Sequence, residues 1–316
     1  MTAAHSHTVP AHTAAGRHTR PLVWTLSLTG GFLVIEVAGA IWTGSLALLA
    51  DAGHMLTDVG GLGLALFAIW FAAKPPTPEK TYGYYRVEIL AALANAIVLL
   101  GISAFILYEA YRRFLAPPPV LGGPMLVVAL TGLAVNVMGM WLLHSGSTES
   151  LNLKGAYLEV LSDALASVGV IVAALIVLTT GWRLADPLVG AGIGLFIIPR
   201  TWGLLRHAVN ILLEGTPPHV NLAEVELAMA SVPGVQQVHD LHVWTLTSGK
   251  EAMSGHVVVG NLGAGDQILR DLHTLVHDRF GVEHTTIQLE SRPLVQIVTR
   301  EATASPADGA GEARPS

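Results

Sequence analysis

His54 and Asp58 stand four residues apart in Asp51-Ala-Gly-His-Met-Leu-Thr-Asp58, and Glu159 and Asp163 repeat that spacing in Ala156-Tyr-Leu-Glu-Val-Leu-Ser-Asp163. On a helix, residues so spaced lie one above the other on the same face. One imidazole and three carboxylates from two facing helices make a closed N/O cage for a divalent cation. Both pairs fall in, or at the start of, apolar runs long enough to cross a bilayer. A charged side chain near the centre of a bilayer costs at least about 2.5–3.5 kcal/mol and is kept chiefly where it faces a cavity or a partner. Four ionisable groups in two matching pairs are hard to explain as packing. The chain has no cysteine, so disulfides and thiolate sites are excluded, and a metal must be held by His, Asp, Glu or backbone oxygen.

The elements that must position these groups follow from hydropathy. The chain is 52% hydrophobic with a mean hydropathy of +0.54 and only 13% charged, against roughly 25% charged in a soluble domain. Its net charge of −6 is mild, and no basic face suited to a duplex is visible, so nucleic acid is not an expected partner. Six apolar runs, at about 22–43, 45–73, 86–115, 120–144, 156–180 and 184–206, each approach or exceed the roughly 17–25 residues of a crossing. The spans predict a six-helix, multi-pass membrane unit over 21–208. Arg17, Arg20, Lys74, Lys80, Arg86, Lys154, Arg200 and Arg206 fall on one side, against Arg112, Arg113 and Arg183 on the other. The positive-inside rule then puts both termini in the cytoplasm, in a cell (inner) membrane protein. The first run is of full span length with no A-x-A-like exit, so a cleaved signal peptide is not expected. Residues 1–20, with His5, His7, His12 and His18, are expected to form a disordered tail able to collect metal weakly, and 301–316 a second disordered tail.

Beyond the linker Glu214-Gly-Thr-Pro-Pro218 the pattern becomes that of a small cytoplasmic α+β domain, assigned to 209–300. Spacing predicts a helix at Leu222–Ser231, a strand at Val235–Thr247, a turn at Ser248-Gly249-Lys250 and a strand at Glu251–Val259. A second amphipathic helix at Asp266–Phe280 and a last strand at Thr285–Leu289 complete it. A unit of about 85 residues is only modestly stable alone, so it is expected to pair with a copy of itself.

Other polar groups lie within the spans. Asn95 and Asn136 are read as interhelical hydrogen-bond glue, and Glu36, Asp51 and Asn136 also as support for the metal ligands or a proton path. Asp186, beside Pro187, is read as an N-cap at the outer surface. Gly60-Gly61-Leu-Gly63 and Gly190-Ala-Gly192-Ile-Gly194 look like phosphate loops, but no strand precedes them and they lie inside apolar runs, which favours close helix packing. Without a metal, three carboxylates and an imidazole a few Å apart cannot all hold their charged forms, so some take up protons. A divalent cation entering the cage expels them. Exposed first to one side and then to the other, such a site is a metal/proton antiporter. A membrane-embedded metal-dependent hydrolase would need an open coordination position and a general base, and H-E-x-x-H is absent, so the chain is not read as an enzyme. A metal sensor without transport would keep a soluble site and make the buried one unnecessary.

From Leu22 to Pro293 the chain resembles the cation diffusion facilitator family of metal exporters. The resemblance is carried by Gly44-Ser-Leu-Ala-Leu-Leu-Ala-Asp-Ala-Gly-His-Met-Leu-Thr-Asp58, Thr81-Tyr-Gly-Tyr-Tyr-Arg-Val-Glu-Ile-Leu-Ala-Ala-Leu-Ala-Asn95, Gly155-Ala-Tyr-Leu-Glu-Val-Leu-Ser-Asp163 and His239-Asp-Leu-His-Val-Trp244. It implies a six-span homodimer with cytoplasmic ends that moves Zn²⁺ out against protons, and a C-terminal domain of metallochaperone-like (ferredoxin-like) fold. Many zinc-type members carry His where this chain has Glu159, which places it nearer the cobalt-zinc-cadmium resistance branch, with Co²⁺ and Cd²⁺ as alternative ions. A carboxylate in place of imidazole also hardens the site and adds charge, so it should select zinc less strictly by ligand type. The family carries a regulatory metal site near the dimer contact of the soluble domain. By resemblance this falls to His239, His256 and Glu290, with His242 and His284 in reserve. His239 and His242, three apart on a strand, point to opposite faces and can share an ion only across a bulge.

Overall fold

The computed structural model describes residues 19–72, 74–147 and 151–293, and its compact units divide between Leu213 and Glu214. His5, His7, His12, His18 and the C-terminal tail from 294 lie outside the described residues.

The first unit contains α1 (Thr19–Thr43), α2 (Leu46–Ala72), α3 (Arg86–Leu115), α4 (Gly122–Ser147), α5 (Leu151–Thr180) and α6 (Ala185–Leu212). Among the described residues α1, α3, α4, α5 and α6 are long and apolar enough to cross a membrane by length and composition. α2, which carries Asp51, His54 and Asp58, has 27 residues. At 1.5 Å per residue it is about 40 Å long, more than a hydrocarbon core requires. The apolar runs predict starts and stops near Ala156 and Arg206, but α5 starts at Leu151 and α6 ends at Leu212. Hydropathy measures the lipid-facing length of a helix. Its polar end turns continue until a breaker intervenes, here Glu214 at φ +59° followed by Gly215-Thr-Pro-Pro218.

α2 is the hub of the bundle, packing against α1, α3, α5 and α6. The core around it is made largely of small residues, with Ala47, Ala52, Ala129, Ala173 and Ala174 beside Phe32, Met55 and Met125. Large apolar side chains instead face outward: Phe196 is 75% exposed and Ile41 74%. Small residues inside and large ones outside is the pattern of helices that associate in lipid, where close backbone approach replaces hydrophobic exclusion as the driving force. A Cβ on Gly190 would sit 3.1 Å from the backbone carbonyl of Leu46, so the glycine lets α6 close onto the start of α2.

Asp186 departs from its sequence reading. α6 begins at an N-cap, Leu184, that makes no side-chain cap bond, and Asp186 is fully buried. Its carboxylate reaches across to the neighbouring helix and caps α2. It accepts from Ser45 Oγ at 2.6 Å, Leu46 N at 2.8 Å and Ala47 N at 3.1 Å. Two otherwise unpaired amides of α2 are thereby satisfied, and the negative charge sits at the positive end of the helix dipole. Arg113 of α3 joins them, 3.5 Å from Asp186 Oδ2 and donating to the Gly44 carbonyl at 2.5 Å.

The second unit runs α7 (Leu222–Ala230), β1 (Val235–Thr247), β2 (Lys250–Val259), α8 (Gly265–Phe280) and β3 (His284–Glu290). The sheet order is β1-β2-β3, with β1 antiparallel and β3 parallel to β2. Val225, Met229, Val243, Met253, Val257, Leu272 and Val276 form its core. The Asn221 side chain accepts from Ala223 N to start α7, and Gly281 at φ +71° closes α8. A membrane helical bundle followed by a small α+β domain is the architecture the sequence predicts.

Candidate metal sites

α2 and α5 place their two pairs face to face. His54 Nε2 lies 3.8 Å from Asp58 Oδ2, 3.8 Å from Asp163 Oδ1 and 4.0 Å from Glu159 Oε1. His54 is 8% exposed and Asp163 3%. Ligands bound to zinc at about 2.0–2.2 Å stand roughly 3.3–3.6 Å apart in a tetrahedron, so this cluster is slightly wider than a closed shell. His54 Nδ1, Asp58 Oδ2 and Asp163 Oδ1 are buried with no hydrogen-bond partner. Orphaned polar atoms are costly in a protein interior, and a cation would satisfy the two carboxylate oxygens among them. Ligand atoms of His54, Asp58 and Asp163 all lie within 4.8 Å of one another.

Glu159 is the predicted ligand that the structure treats differently. Arg200 of α6 grips both its oxygens, Nη1 donating to Oε1 at 2.7 Å and Nη2 to Oε2 at 2.6 Å. The spacing of residues gives Arg200 only a place among the cytoplasmic basic residues. The signal that could have found its partner is an arginine inside an apolar run, which demands an acid nearby. A cavity of about 310 Å³ adjoins the cluster, lined by Thr57, Asp58, Asn95, Glu159 and Arg200 among others. Asn95 lies close against α2, where a Cβ on Gly61 would meet its Nδ2 at 2.8 Å, so this glycine too serves helix approach.

Asp51 and Asn136 fall on one buried chain of polar groups beside the cluster. Asn136 Nδ2 donates to Ser167 Oγ at 3.3 Å, and Ser167 Oγ to Asp51 Oδ2 at 3.5 Å. Glu36, 1% exposed, is buried among them, and its Oε2 and Asp51 Oδ1 make no hydrogen bond. Ser167, on α5 one helical turn beyond Asp163, is the member of this chain that sequence reasoning misses.

In the soluble unit, strand register assembles a second group. His239 stands opposite His256 across β1 and β2, and Glu290 pairs with Val258, two residues along β2 from His256 and on the same face. Buried Glu290 therefore reaches both rings, with Oε1 2.8 Å from His256 Nδ1 and Oε2 3.3 Å from His239 Nε2. The bulge that His242 would need does occur, marked by a register shift between His239 and His242 and by Asp240 at φ +51°. It turns His242 outward all the same, where its Nε2 is 3.0 Å from Asp240 Oδ1. Asp240, which sequence reasoning passed over, puts its other oxygen 3.9 Å from His256 Nε2. His284 pairs with Ala252 at the far end of β3 from Glu290, about 20 Å away at strand rise, so it does not join the group.

Long apolar helices around a buried N/O cluster, followed by a small α+β unit with a second such cluster, define a membrane carrier of cations as the class. Residues 22–213 match the cation efflux transmembrane domain and 217–292 the cytoplasmic domain of cation efflux proteins. The chain belongs to the cation efflux family. It is 48% identical over 309 residues to the metal cation efflux system protein CzcD of Cupriavidus metallidurans, covering 97% of this chain and 96% of that one. It is 43% identical over 295 residues to the zinc transporter ZitB of Escherichia coli, covering 93% and 94%. It is also 40% identical over 282 residues to the cadmium, cobalt and zinc/H(+)-K(+) antiporter of Bacillus subtilis, covering 87% and 90%. Among solved structures it is similar to the metal-bound C-terminal domain of CzcD from Cupriavidus metallidurans, at 43% identity and a TM-score of 0.22, over 22% of this chain and 99% of that one.

Proposed function

We propose that this divalent metal cation efflux transporter works as a metal/proton antiporter of the cytoplasmic membrane, carrying Zn²⁺ and also Co²⁺ and Cd²⁺. His54, Asp58, Glu159 and Asp163 form its transport site. The observation that carries this reading is one imidazole nitrogen within 4.0 Å of carboxylate oxygens from three residues on two helices. Such a donor set suits borderline divalent ions, and its hard oxygens argue for breadth among them. The buried chain Asp51–Ser167–Asn136, with Glu36 buried near it, supplies a route by which displaced protons leave. The excess of Lys and Arg on one side supports cytoplasmic termini, and the modest size of the soluble unit supports a homodimer. With His54, Asp58, Asp163 and Glu159 all on the ion no position is left open for substrate, which favours transport over hydrolysis.

Because the ligands must shed protons to bind, adding Zn²⁺ to the purified full chain in weakly buffered solution is expected to release protons. Apparent affinity should weaken as pH falls, since protons compete for the same atoms. Asp163→Ala should cut the release to what the His239, His256 and Glu290 site alone gives, and Asp163→Ala with Glu290→Ala should abolish it. Metal binding by the intact protein with no proton release overturns antiport.

His239, His256 and Glu290 form a regulatory metal site in the soluble unit. Glu290→Ala should remove one bound Zn²⁺ per chain, measured by metal analysis after dialysis, while a Zn²⁺ gradient still drives flux at saturating metal. Loss of flux equal to that of an Asp163 variant would instead make this cluster part of the transport route.

A further inference from the structure

Arg200 approaches the transport site from a third helix and occupies both oxygens of one ligand with a parallel pair of charged hydrogen bonds, the strongest geometry available to a carboxylate. A guanidinium does not lose its proton at any pH the protein meets, so it can leave Glu159 only by moving. It has room to move: its side chain is 66% exposed beside the cavity it shares with Asp58 and Glu159, and that of Glu159 25%. Pro199 precedes it within α6 and has no N–H to offer the carbonyl of Leu195, which loosens the helix at that turn. With a neutral imidazole the three carboxylates carry one negative charge more than a divalent ion neutralises, and Arg200 balances the surplus. Its fork also covers Glu159 Oε1, the oxygen 4.0 Å from His54 Nε2.

We propose that Arg200 is an internal competitor for the transported ion, holding Glu159 until a divalent cation arrives from the cavity, yielding that carboxylate to it, and recapturing it as the ion leaves. This rests on the transport-site reading above. Arg200 thereby raises the dissociation constant and speeds release, which makes it a residue that positions a ligand and never itself touches the ion.

The test is Zn²⁺ binding to the purified full chain by chelator competition, with initial rates of Zn²⁺ flux in proteoliposomes. Arg200→Gln should bind Zn²⁺ about 10-fold tighter, the order expected when a competing charged hydrogen-bonded pair is removed. KM and kcat should fall together, because release slows. Arg200→Lys, with a point charge and no fork, should lie between Arg200→Gln and the wild type. In a Glu159→Gln background Arg200→Gln should change nothing further. Affinity equal to or weaker than wild type in Arg200→Gln, or a gain that persists without Glu159, overturns the proposal. Asp58→Ala and Asp163→Ala separate it from its foundation: if they bind Zn²⁺ as the wild type does, the transport site itself has been misassigned, whatever Arg200 does.

Discussion

Zn²⁺ uptake into inside-out vesicles should fall to the background of protein-free vesicles in Asp58→Ala, and almost as far in Asp58→Asn. Asp58 faces the cavity through which the ion would enter, and its Oδ2 is buried, lacks a hydrogen-bond partner and stands 3.8 Å from His54 Nε2. Removing it deletes a ligand and a unit of the negative charge that draws a dication out of water. Disturbing even an outer support of a metal ligand costs roughly 10–100-fold in affinity, so the loss of a direct ligand should exceed 100-fold. The asparagine keeps the shape and one oxygen but no charge, and thus separates the electrostatic part of the loss from the steric part. The measurement also divides the functional classes. A sensor would show no flux in the wild type, and a hydrolase would show turnover of a substrate without metal movement. Wild-type flux in both variants would remove His54, Asp58, Glu159 and Asp163 from the transport route.

Local periodicity explains what was legible beforehand. A spacing of four puts two side chains on one helix face whatever the rest of the fold does, so the pairs His54/Asp58 and Glu159/Asp163 could be read directly. Apolar runs mark helices for the same reason, and α3 spans Arg86–Leu115 as hydropathy predicts. In the soluble unit, alternation and the Ser248-Gly249-Lys250 turn give β1 and β2 their limits within one residue. The unread features are all relations between distant segments. Arg200 and Glu159 are 41 residues apart in the chain. The fate of His242 depends on which way a bulge at Asp240 turns the strand, a choice made by packing against β2 and invisible in the spacing. Asp186 was placed correctly at a helix start, but the helix it caps is another one, because proximity to Pro187 indicates where a helix begins and says nothing of which amides its neighbour leaves unpaired.

That last relation carries a large expected effect on stability. Asp186→Ala should lower the thermal unfolding midpoint of the purified full chain sharply, with a cost of about 3–5 kcal/mol, the range for breaking a buried, hydrogen-bonded charge pair. Three donors at the start of α2, Ser45 Oγ, Leu46 N and Ala47 N, lose their acceptor at once, and Arg113 loses a carboxylate 3.5 Å away. Asp186→Asn should cost less, since an amide oxygen still accepts from one or two of these donors while the charge opposite Arg113 and the helix dipole is gone. Coupling gives the sharper check. If Asp186 and Arg113 act together, the double variant with Arg113→Ala should be less destabilised than the sum of the single variants, because Arg113 is then not left beside the lost carboxylate. Glu109, 3.1 Å from Arg113, keeps Arg112 at 3.8 Å. Strict additivity would mean that capping alone explains the loss. α2 enters the bundle at this point and carries His54 and Asp58 farther along, so the same substitution should also weaken Zn²⁺ binding without touching a ligand. Full Zn²⁺ affinity in an Asp186→Ala protein that remains folded would show that the position of α2 is set by the core contacts of its own Leu48, Ala52 and Met55 and not by the cap.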